Sequence, residues 1–488
     1  MVRIVIANSV GIDSKGYHII HSPSRWSTGV KDKSNHFVYY PWELAYLSSL
    51  LKRETSHSVK FVDGCLLGLK KEEYLKVILE ENPHFLVMEP STRTVQDDLW
   101  VAKKVKEKIG AKLIFCGQHA TALPQEMIQE GIDYVCQGEY EFTVLDILKK
   151  RKDMPGIYPE KRKALLDINT LPWPEDNDVK RIDYGTPGEP SSEYLEIQMY
   201  ASRGCLRSCN FCVNRHLYYF RPCWRARDVE DIISEVKYLK DKYPQMEGVF
   251  FDEECHNGNT EFIKNLCFAI RKNKLDSLKF EAMCDLGLLN EEQMKEMFDT
   301  GYYMLRFGIE NISLDVQRNL SKILNKTEII QKLKKAKKIG LKTYATFLVG
   351  APGSTIEKDT KTVDFMRELI QEGFLDNAQV SICTPLIGTP FYQWTLEKGY
   401  LDCEDLANYD GGNTAIVSYP NYSKIQIVKM KEYAFRARNR AIFLHRLKKV
   451  EIFEWFKKVY KKYGFWKTMR KLSRRLVQEL LIPLTKIV

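Results

Sequence analysis

The sequence predicts two successive α/β domains, each built on a parallel sheet, followed by an α-helical C-terminal region. Three observations carry this. Short apolar runs alternate with helical patterns from residue 1 to about 150. A proline- and glycine-rich connector interrupts the alternation over 151–194. The alternation resumes over 195–400 and gives way to helical pattern alone over 401–488. With 488 residues, 44% of them apolar and 28% charged, the chain can bury more than one core and is not composed like a disordered protein.

In the first domain, strands are expected at Arg3–Ala7, Val59–Val62, Phe85–Met88, Lys112–Cys116 and Tyr134–Cys136. Helical patterns fill the gaps at 42–53, 71–81, 96–109 and 124–130. Five strands with intervening helices suit a flavodoxin-like, Rossmann-type order, whose ligands bind outside the carboxyl ends of the strands. Those ends carry polar turns: Asn8-Ser9, Ser91-Thr92-Arg93-Thr94, Gly117-Gln118-His119-Ala120-Thr121 and Gly138-Glu139-Tyr140-Glu141.

The connector holds Pro155-Gly156, Leu171-Pro172-Trp173-Pro174 and Gly185-Thr186-Pro187-Gly188-Glu189-Pro190. Prolines at this density exclude long helices. After it, strands are expected at Leu195–Tyr200, Gly248–Phe251, Lys279–Cys284, Met304–Ile309, Thr343–Val349 and Gln379–Cys383, with helices between them. In a parallel barrel the chemistry sits at the carboxyl ends of the strands.

Directly after the first of these strands runs Ser202-Arg203-Gly204-Cys205-Leu206-Arg207-Ser208-Cys209-Asn210-Phe211-Cys212. Three cysteines in one short loop can hold three corners of a [4Fe–4S] cluster, which normally takes four thiolates. The fourth iron is left open. A Cys3His zinc site completed by His216 is the chemical alternative, although its usual ligand pairs are more widely separated.

The C-x3-C-x2-C loop resembles that of the radical S-adenosylmethionine (SAM) superfamily. The resemblance implies a partial (β/α)6 TIM-type barrel, with Cys205, Cys209 and Cys212 on the cluster and SAM on the open iron. It places Phe211 near the adenine, Asp252 and Glu253 of Phe251-Asp252-Glu253-Glu254 on the SAM amino group, and Glu310 of Phe307-Gly308-Ile309-Glu310 within reach of SAM polar groups. Gly350 of Gly350-Ala351-Pro352-Gly353-Ser354-Thr355 would border the adenine, and Thr384–Tyr392 is similar to a later family segment. Cys383 and Tyr200 are candidate catalytic donors, as are Tyr302 and Tyr303. Packing is the first reading for Cys383, Cys284 and Cys255.

Cys116-Gly117-Gln118-His119-Ala120-Thr121-Ala122-Leu123-Pro124-Gln125-Glu126 and Gly138-Glu139-Tyr140-Glu141 resemble loops of the cobalamin-binding domain that precedes many radical SAM enzymes. By that resemblance Asn8, Ser91, Thr92, Thr94, Gly117, Gln118, His119, Gly138, Glu139 and Tyr140 line a cobalamin pocket. Cys116 and Tyr140 stand where the family has glycine. No D-x-H-x-x-G motif is present, so no residue is assigned to cobalt. A Rossmann-type domain that binds nothing is the competing reading.

Residues 431–488 hold 17 Lys and Arg against 4 Asp and Glu, more than the whole net charge of +10, so the rest of the chain is mildly acidic. Basic pairs there interleave with Phe453, Trp455, Phe456, Tyr460, Phe465 and Trp466. A helical cap on the barrel is the first expectation. An interfacial helix on an anionic membrane is the second, and single-stranded nucleic acid comes well behind. Twelve cysteines, the nine outside the loop scattered, and no signal-peptide pattern point to the cytoplasm, with peripheral placement at the inner face of the membrane under the second reading.

Together these resemblances imply an enzyme that makes a 5′-deoxyadenosyl radical and takes a hydrogen atom from an unactivated carbon. Cobalamin would then deliver a methyl group. The implied partners are a small or lipid-like substrate, isoprenoid-derived if the membrane reading holds, and an electron donor such as flavodoxin or ferredoxin. Two other classes remain: a cobalamin-assisted radical cyclase, oxidase or rearrangement enzyme, and a non-catalytic membrane-associated regulator.

Overall fold

A computed structural model describes the chain except residues 22–27, 32–37, 163, 186–191, 404, 449–459 and 461–488. Strand β1 (Arg3–Asn8) leads into a small antiparallel sheet of β2 (Gly11–Ile12), β3 (His18–His21) and β4 (Thr28–Lys31). Then come β5 (Ser58–Asp63), β6 (Phe85–Met88), β7 (Lys112–Phe115) and β8 (Tyr134–Val135). The parallel sheet has the order β5-β1-β6-β7-β8, the flavodoxin-like order expected. Its switch point lies between β1 and β6, where a ligand crevice is favoured. No strand is expected over 9–37 from the sequence. The inserted β2–β4 sheet is short, and its His18-Ile19-Ile20-His21 strand lacks the alternation that would mark it.

The second sheet starts at β9 (Glu196–Met199). A two-residue antiparallel pair, β10 (Ser202–Arg203) and β11 (Arg225–Ala226), brackets the cysteine loop. Strands β12 (Gly248–Phe251), β13 (Lys279–Cys284), β14 (Tyr302–Glu310), β15 (Lys342–Val349) and β16 (Asn377–Ile382) follow. All six main strands are parallel and sequential, from β9 at one edge to β16 at the other, which is a partial barrel. Alternation along the strands sorts the two faces. Ile197, Met199, Val249, Phe251, Phe280, Ala282, Leu305 and Phe307 join the core under the helices. The residues of opposite parity, among them Gln198, Asp252, Glu281 and Arg306, face the lumen.

Two features move the expected boundaries. The helix Lys424–Lys448 packs against the helix Ile356–Gln371 and β16, and its Ile427, Met430, Tyr433, Ala434, Ala437 and Ala441 are core residues. The barrel unit therefore runs past residue 400 to 448, and this part of the tail is a cap. Except for Tyr460, which is exposed, the basic aromatic stretch falls outside the described residues. So do Thr186–Pro190 of the connector. The two domains also share a core: Tyr40 and Trp42 of the first pack with Tyr200, Tyr218 and Tyr219 of the second and with Leu166, Ile168 and Tyr184 of the connector. No helix among the described residues is long and apolar enough to cross a membrane.

Candidate functional site

The cysteine loop lies at the carboxyl ends of the barrel strands and is fastened there from four directions. Glu254, just beyond β12, accepts from the Gly204 amide (2.9 Å), from Asn214 Nδ2 (2.7 Å) and from the Tyr219 hydroxyl (2.6 Å), so one carboxylate closes both ends of the loop. Asp285, just beyond β13, takes a bidentate pair from Arg207 (2.6 and 2.7 Å). The Asn210 amide donates to the Leu320 carbonyl (3.2 Å), and the Asn210 carbonyl accepts from the Phe391 amide (3.2 Å). Gly204 has φ +100° and sits where a Cβ would meet the Cys223 carbonyl oxygen at 2.5 Å, so glycine is required at this turn.

Cys209 is buried, while Cys205 and Cys212 are half-buried. Burial pushes the Cys209 thiol up to about 12 and the Cys212 thiol up to about 11. Cys205 moves the other way, held down by a hydrogen bond from the Cys255 thiol and by the Arg207 amide at 3.4 Å. No three His, Cys, Asp or Glu side chains among the described residues gather as ligands of a single ion. His216, the residue that would complete a zinc set, has Nε2 on the Cys209 carbonyl at 3.1 Å. A cubane sets each thiolate on a different iron, farther apart than ligands of one ion. A preorganised loop with three thiols and no carboxylate fits it.

Around this loop the expected SAM residues divide. Phe211 is buried in an apolar wall with Cys209, Val316, Leu320, Leu348, Ala351, Cys383 and Phe391. Asp252 is buried at the end of β12 and faces the lumen beside Arg306. Glu310 stands in the left-handed region, φ +66°, and its Oε1 accepts from Lys322 Nζ at 2.9 Å. A Cβ on Gly308 would fall 2.2 Å from Glu310 Oε1 and 2.4 Å from Lys322 Nζ. The glycine of Phe307-Gly308-Ile309-Glu310 is thus what lets this pair meet across the strand. Burial works against the Lys322 ammonium, but Glu310, Cys209 and Asp285 hold its pKa above the ordinary lysine value.

Glu253 is placed elsewhere. It is fully buried, with Oε1 on His256 Nδ1 (2.6 Å) and the Ser202 hydroxyl (3.3 Å) and Oε2 on the Ala201 amide (3.4 Å). His256 in turn meets the Tyr302 hydroxyl at 2.8 Å. Both Glu253 oxygens are engaged by protein, so it does not face the open side of the loop. Gly350 is explained by packing: φ is +67°, its amide donates to Asp359 Oδ2 (2.7 Å), and a Cβ would lie 2.6 Å from Ile427 Cγ2. Cys383 belongs to the wall behind Phe211, where burial drives its thiol well above the usual range. Tyr200 stacks on Trp42 with centroids 4.0 Å apart, while Tyr303 donates to Glu281 Oε2 at 2.9 Å.

The strand ends of the first domain meet this loop directly. His119 Nδ1 lies 3.1 Å from Thr92 Oγ1, and burial lowers its pKa to about 4, so the ring is neutral. Ser91 and Thr94 bond each other (3.1 Å), Thr94 donates to Asp98 (2.8 Å), and Asn8 donates to Asp63 (3.0 Å). Among the buried polar atoms at these ends that have no partner among the described residues are Asn8 Oδ1, Gln118 Oε1 and His119 Nε2. Buried polar atoms are ordinarily paired, and the amide-rimmed edge of a corrin has the chemistry to pair them, so these residues fit cobalamin.

Four expected pocket residues, Gly117, Gly138, Glu139 and Tyr140, are used differently. Tyr140 is fully buried and donates to Glu89 Oε2 at 2.6 Å, with the Tyr218 hydroxyl on the other oxygen. Gly117 is glycine because a Cβ would fall 2.2 Å from Glu89 Cγ. Glu139 pairs with Arg225 (2.8 Å) and Arg203 (3.4 Å) and accepts from the Leu166 amide (3.0 Å). Glu141 pairs with Arg203 at 2.7 Å. These carboxylates fasten the Gly138-Glu139-Tyr140-Glu141 loop to both flanks of the cysteine loop. Gly138 lies against Phe220, and Gly388 lies against Leu217 and Ala122, closing the same seam.

Sequence reasoning missed Glu254, Asp285, Lys322, Glu89 and Arg203. Glu254 had one signal, its place next to Asp252-Glu253 at a strand end; the others had none, because their partners are distant in sequence.

Residues 199–366 match the Radical SAM superfamily. The chain is 28% identical over 379 residues to an uncharacterized methyltransferase of Pyrococcus horikoshii, covering 74% of this chain and 79% of that one. It is 27% identical over 435 residues to the cytidylyl-2-hydroxyethylphosphonate methyltransferase of Streptomyces wedmorensis, covering 75% and 79%. Among solved structures it resembles the cobalamin-dependent SAM radical enzyme OxsB with aqua-cobalamin and SAM bound (TM-score 0.68, 13% identity, 100% of this chain and 77% of that chain). It also resembles the radical SAM methyltransferase TsrM of Kitasatospora setae (TM-score 0.63, 15% identity, 82% and 76%). Residues 199–366 therefore carry a radical SAM domain, and the chain shares the two-domain fold of OxsB and TsrM.

Proposed function

We propose that this radical SAM enzyme is a C-methyltransferase that uses cobalamin as its methyl carrier. The observation that carries the reading is the seam itself: the Gly138–Glu141 loop of the first domain is ion-paired to Arg203 and Arg225 on either side of the cysteine loop. A sheet whose ligand-binding ends abut the cluster loop can present one cofactor to the other. The methyltransferase relatives, covered over about three quarters of this chain, support the same class.

Cys205, Cys209 and Cys212 would hold the cluster, Asp252 the SAM amino group, and Asn8, Gln118 and His119 the corrin edge. When bound, these cofactors supply the radical and the transferable methyl group, as cofactors generally carry the hard chemistry. The chain's own residues orient and shield. Glu254 and Asp285 fix the loop, Phe211 and its apolar wall exclude water, and the Glu310–Lys322 pair sets the charge beside Cys209. A lipid substrate would rest on the tail beyond 448, and the polar lumen does not favour one. A peripheral membrane location rests on the same segment.

Anaerobic reconstitution with iron, sulfide and cobalamin tests this. About four iron per chain is expected for one cubane, with one cobalt and a product heavier by one CH2. Iron without cobalt would remove the methyl carrier, and product of unchanged mass would favour cyclisation, oxidation or rearrangement. A Cys212→Ala chain is expected to lose most of its iron.

A further inference from the structure

We propose that the lumen of the partial barrel binds a small polar substrate, neutral or amine-bearing, rather than a hydrocarbon; this rests on the enzyme reading above. The Arg306 guanidinium lies between the rings of Phe250 (4.9 Å) and Tyr344 (4.8 Å), and its Nε is bonded to Glu281. Its Nη2 has no partner among the described residues, and the side chain is almost wholly buried. On β9, in register with that Phe250, Gln198 Oε1 is likewise buried and has no partner among the described residues. Burial of an unpaired amide oxygen or guanidinium N–H costs about 1–3 kcal/mol or more, so each is an unanswered demand for a hydrogen bond.

The two demands are opposite in kind. Gln198 Oε1 needs an N–H or O–H, and Arg306 Nη2 needs an oxygen. A substrate that answers both carries at least one donor and one acceptor on a compact frame, as an amide, an amino acid or a hydroxylated ring does. The lumen's charge narrows the class. Glu281 already pairs with Arg306, Asp252 is assigned above to the SAM amino group and Glu196 also lies near the guanidinium, so Arg306 has no positive charge to spare for a strongly anionic group. Glu196 carries less negative charge near neutrality, since burial lifts its carboxyl to about 7. A chain of methylenes would leave Gln198 Oε1 and Arg306 Nη2 buried without a hydrogen bond.

The test uses the reconstituted full chain and a chloroform–methanol–water partition of an extract from its host cells. Formation of 5′-deoxyadenosine from SAM reads substrate binding, and CD3 transfer from labelled SAM reads methylation. The expected result is stimulation by the aqueous fraction. Gln198→Leu and Arg306→Met should need about tenfold more of that fraction for half-maximal rate, the factor expected from losing one hydrogen bond, with the rate at saturation and the iron content retained. Gln198→Leu guards against an Arg306 variant that fails to fold. Stimulation by the organic fraction alone, by neither fraction, or by the aqueous fraction equally in wild type and Gln198→Leu overturns the inference. Stimulation by the aqueous fraction without CD3 in any product leaves the polar substrate standing and removes C-methylation instead.

Discussion

Arg203 and Glu141 form a buried ion pair, 2.7 Å between Nη1 and Oε1, that joins the strand entering the cysteine loop to the last ligand loop of the first domain. Both side chains are almost fully excluded from water, and Glu139 and Arg225 extend the pair into a network. Removing one partner of such a pair strands the other charge in low dielectric, typically at about 3–5 kcal/mol. Arg203→Met is therefore expected to lower the unfolding midpoint sharply. Arg203→Met combined with Glu141→Leu should recover part of the loss, since no unpaired charge remains between those two positions. Thermal unfolding followed by circular dichroism checks both.

Glu254 should govern cluster retention. Its three hydrogen bonds close the cysteine loop without touching a thiol. Losing an orienting group behind metal ligands commonly costs about 10–100-fold in affinity. Glu254→Ala is expected to give up iron to a chelator that spares the wild type, with Glu254→Gln intermediate. Iron and sulfide analysis after chelator challenge is the measurement.

His119 gives the fold a pH dependence whose sign follows from burial. Its pKa falls from 6.5 unfolded to about 4 folded. Between those values the unfolded chain binds more protons, so stability rises with pH through that window. On lowering the pH from 6.5 to 4, wild type should lose up to about 3 kcal/mol relative to His119→Gln. Denaturant unfolding of both proteins at several pH values reads the difference, and parallel curves would contradict it.

Gly350→Ala should destabilise the barrel. A left-handed φ costs an L-residue about 1–2 kcal/mol, and the new Cβ would also strike Ile427 in the capping helix. Ile427→Ala in the same chain should relieve the collision but not the backbone strain. Gly350→Ala with Ile427→Ala is then expected to be less damaged than the sum of the two single variants, as measured by denaturant midpoints.

The strand and helix order of both domains was legible because burial imposes periods of two and 3.6 on a one-dimensional string. The flavodoxin-like order follows from five apolar runs with helices between them. The cysteine loop was legible because three ligands lie within eight consecutive positions. The reach of the barrel to residue 448 was not, since the helix Lys424–Lys448 is rich in Lys and Arg and only its packing against β16 reveals a buried face. Nor was the small antiparallel sheet β2–β4, whose short strands carry no clear alternation.

By itself the sequence determined the fold class, the three thiols and the loops that meet them. The tertiary structure decided which neighbouring acids do what. Glu253 and Glu254 are adjacent in the chain, yet one is bonded to His256 inside the core and the other braces the cysteine loop. Glu139 and Tyr140 sit in a ligand-loop motif, yet one pairs with arginines 64 and 86 positions away and the other hydrogen-bonds Glu89, 51 positions away. A motif fixes a residue's type and backbone position. The partner of a buried charge is fixed by whatever distant segment folding brings within about 3 Å, because at low dielectric that one contact outweighs every local preference.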